Sequence, residues 1–213
     1  MILREERELI IEYGKKLVEE NLTVGTFGNI SMYNSKENLM AITPSGMDYF
    51  SLKPEDIVIL TPDGEKIDGD RKPSSEYDMH RIFYQKRKGI NAVVHTHSTY
   101  ATTLACLNWS IPPLHYLTAY SGKEVPCSKY VKFGTYDLAE SAIKTMADNY
   151  ACILGNHGLL TVGETLAYAF DVAQQVEFLA QLYYQSKAVG EPILLNNNQI
   201  EDVLEAFKTY RTK

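Results

Sequence analysis

The stretch Ala92-Val93-Val94-His95-Thr96-His97 decides how the rest of the chain is organised. Its apolar and β-branched residues predict a strand that ends in two histidines one residue apart. Because side chains at positions i and i+2 of a strand point to the same face, both imidazoles emerge on one side of the strand end. The stretch therefore predicts a sheet that presents two nitrogen ligands together.

A third histidine follows a second apolar run, in Cys152-Ile153-Leu154-Gly155-Asn156-His157-Gly158. If the two strand ends meet, three neutral nitrogens converge, which is a donor set that suits zinc and leaves a position open for substrate. A single histidine at a strand exit is more often an ordinary hydrogen-bonded residue. The pair together with a third histidine on a matching strand and turn favours a metal site instead.

Composition and charge narrow the class of protein. With 213 residues and 45% apolar content the chain can bury a substantial core, and we expect one domain over residues 1–213. Short apolar runs and a charged start in place of a signal peptide predict a cytoplasmic protein that does not bind membranes. Three cysteines without paired spacing fit a reducing compartment. A net charge of −6 without a basic cluster argues against nucleic-acid binding.

Periodicity predicts strands and helices mixed along one chain. Apolar residues at helical spacing predict helices over residues 4–20, 77–88, 98–107, 136–149, 164–188 and 199–208. Short apolar runs predict strands over residues 39–42, 57–60, 92–97 and 151–154. Without repeats, linkers or low-complexity tracts, this mixture indicates a single layered α/β architecture.

The segment Pro73-Ser74-Ser75-Glu76 precedes the helix predicted over residues 77–88. Its serines are predicted N-cap residues, and Glu76 would lie in the first turn. A helix N-terminus with two hydroxyls can bind an anion, because its first amides lack internal partners and the helix dipole favours negative charge. A well-capped helix with an acid that complements its dipole explains the same residues equally well.

Two further segments combine glycine with small polar residues. Gly28 and Asn29 belong to a segment that is either a bulged strand or a loop whose amides hold an anion. Ser45 and Gly46 follow the strand predicted over residues 39–42 and are compatible with a plain turn.

Taken in chain order, five motifs resemble the class II aldolase/adducin family. They are Gly28-Asn29-Ile30-Ser31, Thr43-Pro44-Ser45-Gly46, Pro73-Ser74-Ser75-Glu76, His95-Thr96-His97 and Asn156-His157-Gly158. Four more segments resemble the branch of that family that acts on L-fuculose 1-phosphate: Ile111-Pro112-Pro113-Leu114-His115-Tyr116, Val125-Pro126-Cys127, Phe133-Gly134-Thr135 and Phe207-Lys208-Thr209-Tyr210. Each motif is weak alone, but their joint order covers nearly the whole chain.

This resemblance implies a fold and a set of site residues. The fold would be a three-layer α/β/α sandwich around a mixed, largely antiparallel sheet. One zinc ion per subunit would be bound by His95, His97, His157 and, in the resting enzyme, Glu76. The substrate phosphate would be held by Gly28, Asn29, Ser45, Gly46, Ser74 and Ser75. The assembly would be a homotetramer with active sites at subunit interfaces, so that a neighbour would offer Tyr116, Phe133 and Tyr210.

The activity implied by the resemblance is that of a zinc-dependent aldolase. It would cleave L-fuculose 1-phosphate, or a similar ketose 1-phosphate, to dihydroxyacetone phosphate and L-lactaldehyde through a metal-bound enediolate. Glu76 would be the base that acts on dihydroxyacetone phosphate in the condensation direction, and Tyr116 the acid for the aldehyde oxygen. Tyr210 would help to position the aldehyde, and Phe133 would contact its methyl end.

Three other functions remain open on the same motifs. Ribulose-phosphate 4-epimerases share the metal and phosphate residues, but they resemble one another in an aspartate that residues 116–122 of this chain lack. A methylthioribulose-phosphate dehydratase would also use zinc and phosphate. A noncatalytic interaction domain like the adducin head would have no need for the three histidines and Glu76. The donor set would also accept cobalt or manganese, which leaves the native metal open.

Overall fold

The computed structural model describes residues 1–210, and residues 208–210 by their backbone alone. Its strands are β1 (Asn29–Asn34), β2 (Leu39–Ile42), β3 (Val58–Leu60), β4 (Lys66–Asp68), β5 (Ala92–Thr96), β6 (Ala151–Leu154) and β7 (Gly158–Gly163). They form one sheet in the order β4-β3-β2-β1-β5-β7-β6. The histidine-bearing strand β5 therefore lies inside the sheet, where pairing on both sides fixes its position.

Helices cover both faces of this sheet. They are α1 (Arg4–Glu19), α2 (Tyr77–Lys86), α3 (Thr99–Leu107), α4 (Thr118–Ser121), α5 (Tyr136–Met146), α6 (Leu166–Val189) and α7 (Asn197–Tyr210). Residues of α1, α3 and α6 pack with Ala92 and Val94 of β5 in one apolar cluster. Residues of α2 and α5 pack with Val93 in a second cluster on the opposite face. The alternation of β5 between the two clusters confirms the predicted three-layer α/β/α sandwich.

The sheet is antiparallel in every strand pairing of residues 1–210, which refines the mixed, largely antiparallel sheet that we expected. The parallel contact in this part of the chain is a single isolated bridge between Cys127 and Ile153. Strand β7 was not predicted. It forms because the chain reverses tightly after β6, and it then pairs with both β6 and β5.

The start of α2 also differs from the prediction. The N-cap position is Glu76, and neither serine caps the helix. Instead Ser74 accepts a hydrogen bond through Oγ from the Glu76 amide at 3.3 Å, and Tyr77 donates its amide to the Ser74 carbonyl at 3.2 Å. This extra turn before the helix brings the Glu76 side chain to the end of β5. Within residues 1–210, none of the helices has both the length and the apolar character needed to cross a membrane.

Candidate active site

Three histidines meet where β5 ends. His95 is the fourth residue of β5, His97 follows the strand, and His157 lies in the turn between β6 and β7. The pairing of His95 with Leu160 in β7 brings this turn beside the strand end. One ring nitrogen of each histidine lies within 4.8 Å of the others. The antiparallel pairing of β5 with β7 thus assembles ligands that are far apart in the sequence.

Gly158 makes the close approach of the turn possible. A Cβ atom at this position would lie 2.4 Å from the Thr96 carbonyl oxygen and 3.4 Å from Cε1 of His95. The preceding Asn156 adopts a positive φ of 53°, a conformation that asparagine tolerates better than most residues. The Asn-His-Gly sequence is therefore what allows the third imidazole to face the other two.

Burial keeps the histidines neutral. His95 is fully buried, and desolvation together with the neighbouring His97 holds its pKa well below the ordinary value. Burial also lowers the pKa of His97 to about 4. His95 lies with Nδ1 at 2.9 Å from the Leu159 carbonyl oxygen. Because a carbonyl only accepts, Nδ1 carries the proton and Nε2 keeps a free lone pair, as a metal ligand requires.

Glu76 completes the cluster from the N-terminus of α2. Its Oε2 lies 3.4 Å from Nε2 of His95, and its Oε1 lies 3.4 Å from Nε2 of His157. The side chain is buried, yet Oε1 has no hydrogen-bond partner among the described residues, and neither has Nδ1 of His157. A buried carboxylate oxygen without a partner is costly unless a cation compensates it.

The residues present fit a divalent metal ion. The Nε2 atoms of His95 and His97 lie 2.8 Å apart, a distance at which a cation bound by both nitrogens, or a shared proton, would offset the repulsion between their lone pairs. The unpartnered oxygen of Glu76 faces the same space. Three neutral imidazoles and one carboxylate form a donor set that binds zinc and similar ions.

A cavity of about 420 Å³ opens beside this cluster. Glu76, His97 and His157 line it, together with all six predicted phosphate ligands. These are Gly28, Asn29, Ser45, Gly46, Ser74 and Ser75. Gly28 and Gly46 have φ values of +80° and +68°, so both loops need the conformational freedom of glycine. The structure thus brings the metal-binding and phosphate-binding candidates into one cavity.

Asn29 lines the cavity, and its side chain makes hydrogen bonds with Glu76 and His80. Nδ2 donates to Oε2 of Glu76 at 3.0 Å, and Oδ1 lies 2.5 Å from Nε2 of His80. The residue is 5% exposed. The Asn29 side chain thus holds the carboxylate of Glu76, because β1 places it between α2 and the end of β5.

Comparison with known proteins assigns the family. The model of the class II aldolase and adducin N-terminal domain matches residues 8–184. The chain belongs to this family. A 5-deoxy-D-ribulose 1-phosphate aldolase of Bacillus thuringiensis serovar kurstaki is 51% identical to it over 210 residues, which cover 99% of each chain.

Two further comparisons concern enzymes named for L-fuculose phosphate. The L-fuculose phosphate aldolase of Escherichia coli (strain K12) is 38% identical over 203 residues, which cover 94% of this chain and 93% of the relative. A solved structure of an L-fuculose 1-phosphate aldolase is 44% identical, covers 98% of both chains and superposes with a TM-score of 0.96. The chain is therefore a class II, metal-dependent aldehyde-lyase.

Part of the lining of the cavity is apolar. Phe27, Tyr130, Val131 and Phe133 line it. The ring of Phe27 stacks on His97 with centroids 5.7 Å apart and an angle of 15° between the planes. Phe133 reaches the cavity of its own chain, so its contribution does not need the neighbouring subunit that we expected to supply it.

The structure does not bring Tyr116 to this cavity. Its side chain is 52% exposed, and its ring lies 4.7 Å from that of His115 and 6.4 Å from that of Phe207, between centroids. The side chain of Tyr210 lies outside the described residues. Within one chain, the cavity therefore brings together the candidate metal ligands, the candidate phosphate loops and Phe133, but not Tyr116.

Sequence reasoning missed several residues around the site. Phe27, Tyr130 and Val131 were not singled out, although Phe27 adjoins the Gly28 motif. His80 was missed as well. Its position four residues after Glu76 places both on one face of α2, which is a signal that helical periodicity offers.

Proposed function

We propose that this aldolase cleaves a phosphorylated deoxyketose between C3 and C4 and releases dihydroxyacetone phosphate and a short aldehyde. The observation that carries the proposal is that Glu76, with one unpartnered oxygen, shares a cavity with two serine and glycine loops and an apolar wall. An anionic phosphate, a reacting carbon and a methyl end need these three environments in one place. The same cavity also holds the histidine cluster.

We propose zinc as the metal. His95, His97, His157 and Glu76 would hold it, because zinc accepts nitrogen and carboxylate ligands at about 2.0–2.1 Å and suits four donors of this kind. When bound there, zinc supplies Lewis-acid stabilisation of the negative charge that develops on the substrate oxygens as the carbon–carbon bond breaks. The remaining steps are assigned to side chains of the protein.

The phosphate would bind at the serine loops. Ser45, Ser74 and Ser75 line the cavity, and at Gly46 a Cβ atom would meet nothing within 4 Å, so the backbone there is open to a ligand. Helix α2 begins just after Ser75 and Glu76, and the positive end of its dipole favours negative charge there. This end would fix the substrate so that C3 and C4 lie beside Glu76.

Two proton transfers balance the cleavage. Removal of the C4 hydroxyl proton allows the C4–O bond to become the aldehyde carbonyl as the C3–C4 bond breaks. The electron pair left on C3 then takes up a proton to give dihydroxyacetone phosphate. We assign to Oε1 of Glu76 the transfer of the proton to C3, because this carboxylate oxygen has no hydrogen-bond partner and faces the cavity. We assign to Tyr116 the removal of the proton from the C4 hydroxyl, and to Tyr210 a part in positioning the aldehyde.

The aldehyde end would contact Phe133 and its apolar neighbours. Cleavage of 5-deoxy-D-ribulose 1-phosphate leaves acetaldehyde, whereas cleavage of L-fuculose 1-phosphate leaves L-lactaldehyde, and both aldehydes end in a methyl group that suits these side chains. We favour the 5-deoxypentulose, because the relative named for it is 51% identical and the Escherichia coli enzyme named for L-fuculose phosphate is 38% identical. L-Fuculose 1-phosphate is the alternative substrate.

We further propose a homotetramer with active sites at subunit interfaces. Tyr116 supports this assembly, because it lies on an exposed aromatic surface with His115 and Phe207 and does not line the cavity of its own chain. An acid at the C4 oxygen would then come from a neighbouring copy of the chain.

A product assay with the metal removed and restored tests the function. The protein is stripped with a chelator, reloaded with zinc, and given 5-deoxy-D-ribulose 1-phosphate or L-fuculose 1-phosphate. We expect dihydroxyacetone phosphate release that disappears on stripping and returns with zinc, with acetaldehyde formed faster than L-lactaldehyde. The stripped protein is the matched control, because its sequence is unchanged.

The products also separate the other functions. An epimeric ketose phosphate without dihydroxyacetone phosphate would indicate an epimerase. Loss of water from methylthioribulose 1-phosphate without carbon–carbon cleavage would indicate a dehydratase. Faster release of L-lactaldehyde would retain the aldolase but assign it to L-fuculose 1-phosphate.

A further inference from the structure

A line of hydrogen bonds leads from Glu76 into the core, on the side away from the cavity. Asn29 Nδ2 lies 3.0 Å from Glu76 Oε2, and Asn29 Oδ1 lies 2.5 Å from His80 Nε2. His80 Nδ1 lies 2.7 Å from Ser31 Oγ, which in turn lies 2.5 Å from the Tyr84 hydroxyl. Five side chains thus form one continuous network behind the carboxylate.

The carboxylate of Glu76 at one end of the network determines which atom donates in each hydrogen bond. An ionised carboxylate only accepts, so the Asn29 amide nitrogen must face Glu76 and the Asn29 carbonyl oxygen must face His80. His80 therefore donates from Nε2 and accepts at Nδ1, where Ser31 donates its hydroxyl proton. That leaves the Tyr84 hydroxyl as the donor to Ser31. All donors in the network point toward Glu76.

Burial keeps this direction fixed. His80 and Ser31 have no exposed surface. Desolvation lowers the pKa of His80 to about 3 and raises the pKa of Tyr84 far above its ordinary value, so both remain neutral. A neutral imidazole has one donor and one acceptor, and in this network both are used. Hydrogen bonds in such a dry environment polarise one another and hold their partners firmly.

The network joins two rigid elements. Asn29 and Ser31 lie two residues apart on β1, and Glu76, His80 and Tyr84 lie at intervals of four residues from the N-cap of α2 along the helix. Residues at these spacings share one face of a strand and one face of a helix. The hydrogen bonds therefore fix the helix against the strand and, with it, the orientation of the carboxylate.

We propose that His80 is a positioning residue that acts through Asn29 to hold Oε2 of Glu76 as an acceptor and to leave Oε1 facing the histidine cluster and the substrate. This inference rests on the proposed function, in which Glu76 transfers the proton at C3. It assigns to His80 a role in orientation and none in proton transfer, because the amide of Asn29 separates it from the carboxylate.

Two substitutions of His80 test this role. His80→Leu removes the donor to Asn29, whereas His80→Gln restores an amide that can donate to Asn29 and accept from Ser31. We expect His80→Leu to lower kcat by about 10- to 100-fold, as is typical when a residue behind a metal ligand is lost, with little change in KM. We expect His80→Gln to recover most of the loss.

A second readout isolates the step at Glu76. Exchange of the C3 hydrogen of dihydroxyacetone phosphate with D2O, followed by NMR without any aldehyde, reports proton transfer by Glu76 alone. It should fall in His80→Leu by the same factor as kcat, while the zinc content of the purified variant stays near one per chain. Met79→Ala, at a core position on the same helix, is the matched control, because it should lower the melting temperature and leave both rates unchanged.

Several outcomes would overturn the inference. Normal kcat and exchange in His80→Leu would show that the network does not orient Glu76. Equal losses in His80→Leu, His80→Gln and Met79→Ala would show a general effect of destabilisation. If His80→Leu does not fold, Ser31→Ala takes its place, because it removes the partner that fixes the His80 tautomer, and unchanged rates in that variant would also contradict us. Absence of exchange and cleavage in the zinc-loaded parent enzyme would refute the proposed function itself.

Discussion

Arg7 and Glu76 are both buried charged side chains, but they differ in how many of their polar atoms have hydrogen-bond partners. The Arg7 guanidinium donates from Nε to the Ile2 carbonyl, from Nη1 to two further carbonyls at 2.7 Å, and from Nη2 to Asp68 at 2.5 Å. Glu76 accepts from Asn29 at Oε2, and its Oε1 has no hydrogen-bond partner among the described residues. Arg7 is 1% exposed and Glu76 is 7% exposed, so water can supply few hydrogen bonds to either side chain.

The difference separates a structural charge from a functional one. A buried charge whose nitrogen atoms all have acceptors holds the surrounding backbone in place, and removing it leaves those acceptors unsatisfied. A buried charge with one atom left open lowers the stability of the isolated chain but keeps that atom available to a cation or a substrate. Substitution at Arg7 should therefore affect folding, and substitution at Glu76 should affect turnover.

Glu76→Gln should give the largest effect. We expect kcat to fall by about 10³-fold, within the range that general acid–base catalysis contributes, because an amide cannot accept the proton at C3. The three histidines should still retain most of the zinc. Steady-state kinetics and metal analysis of the same preparation measure both.

Glu37→Gln is the matched control for this prediction. Glu37 lies exposed in the turn between β1 and β2, and its substitution should leave kcat unchanged. Turnover near the parent level in Glu76→Gln would remove Glu76 as the base and would erase the contrast with Arg7.

Local patterns were sufficient to predict much of this arrangement. Alternation along residues 92–97 predicted that His95 and His97 would emerge together, and helical spacing predicted α1 and α6 to within two residues at each end. The layered α/β fold followed from these elements. Such predictions succeed because the periods of strands and helices are local properties of the sequence.

The contacts that distinguish Glu76 from Arg7 are not local. Asn29 and Glu76 are 47 residues apart, and the sequence alone does not show that β1 would lie beside the start of α2. Arg7 was read as part of an amphipathic helix, although its partners include Ile57 and Asp68 across the fold. Whether a polar atom is satisfied depends on which elements pack together, so this information appears only with the tertiary structure.

Arg7→Met should give the second largest effect, and it should be an effect on stability. We expect a loss of about 3 kcal/mol, the low end of the range for breaking a buried ion pair, because Asp68 is 43% exposed and water can solvate it afterwards. The kcat of the folded fraction should stay unchanged. Urea unfolding at fixed protein concentration measures the loss.

Arg4→Met is the control on the same helix. Arg4 forms an exposed pair with Glu8, so its substitution should cost much less than that of Arg7. A stability loss in Arg7→Met no larger than in Arg4→Met would mean that the buried guanidinium does not hold the fold together.

Asp68→Asn should give the smallest effect, and it separates charge pairing from hydrogen bonding at Arg7. It removes the charge that faces Arg7 but keeps an oxygen that can accept its hydrogen bond, and the three carbonyl contacts of Arg7 remain. Since an ion pair with a half-exposed partner contributes little, we expect a loss below about 1 kcal/mol that changes little with salt. Urea unfolding at low and high salt measures it. A loss as large as that of Arg7→Met would mean that charge pairing, and not the satisfaction of hydrogen bonds, stabilises Arg7. The open oxygen of Glu76 would then differ from Arg7 only in lacking a countercharge, which a bound cation supplies.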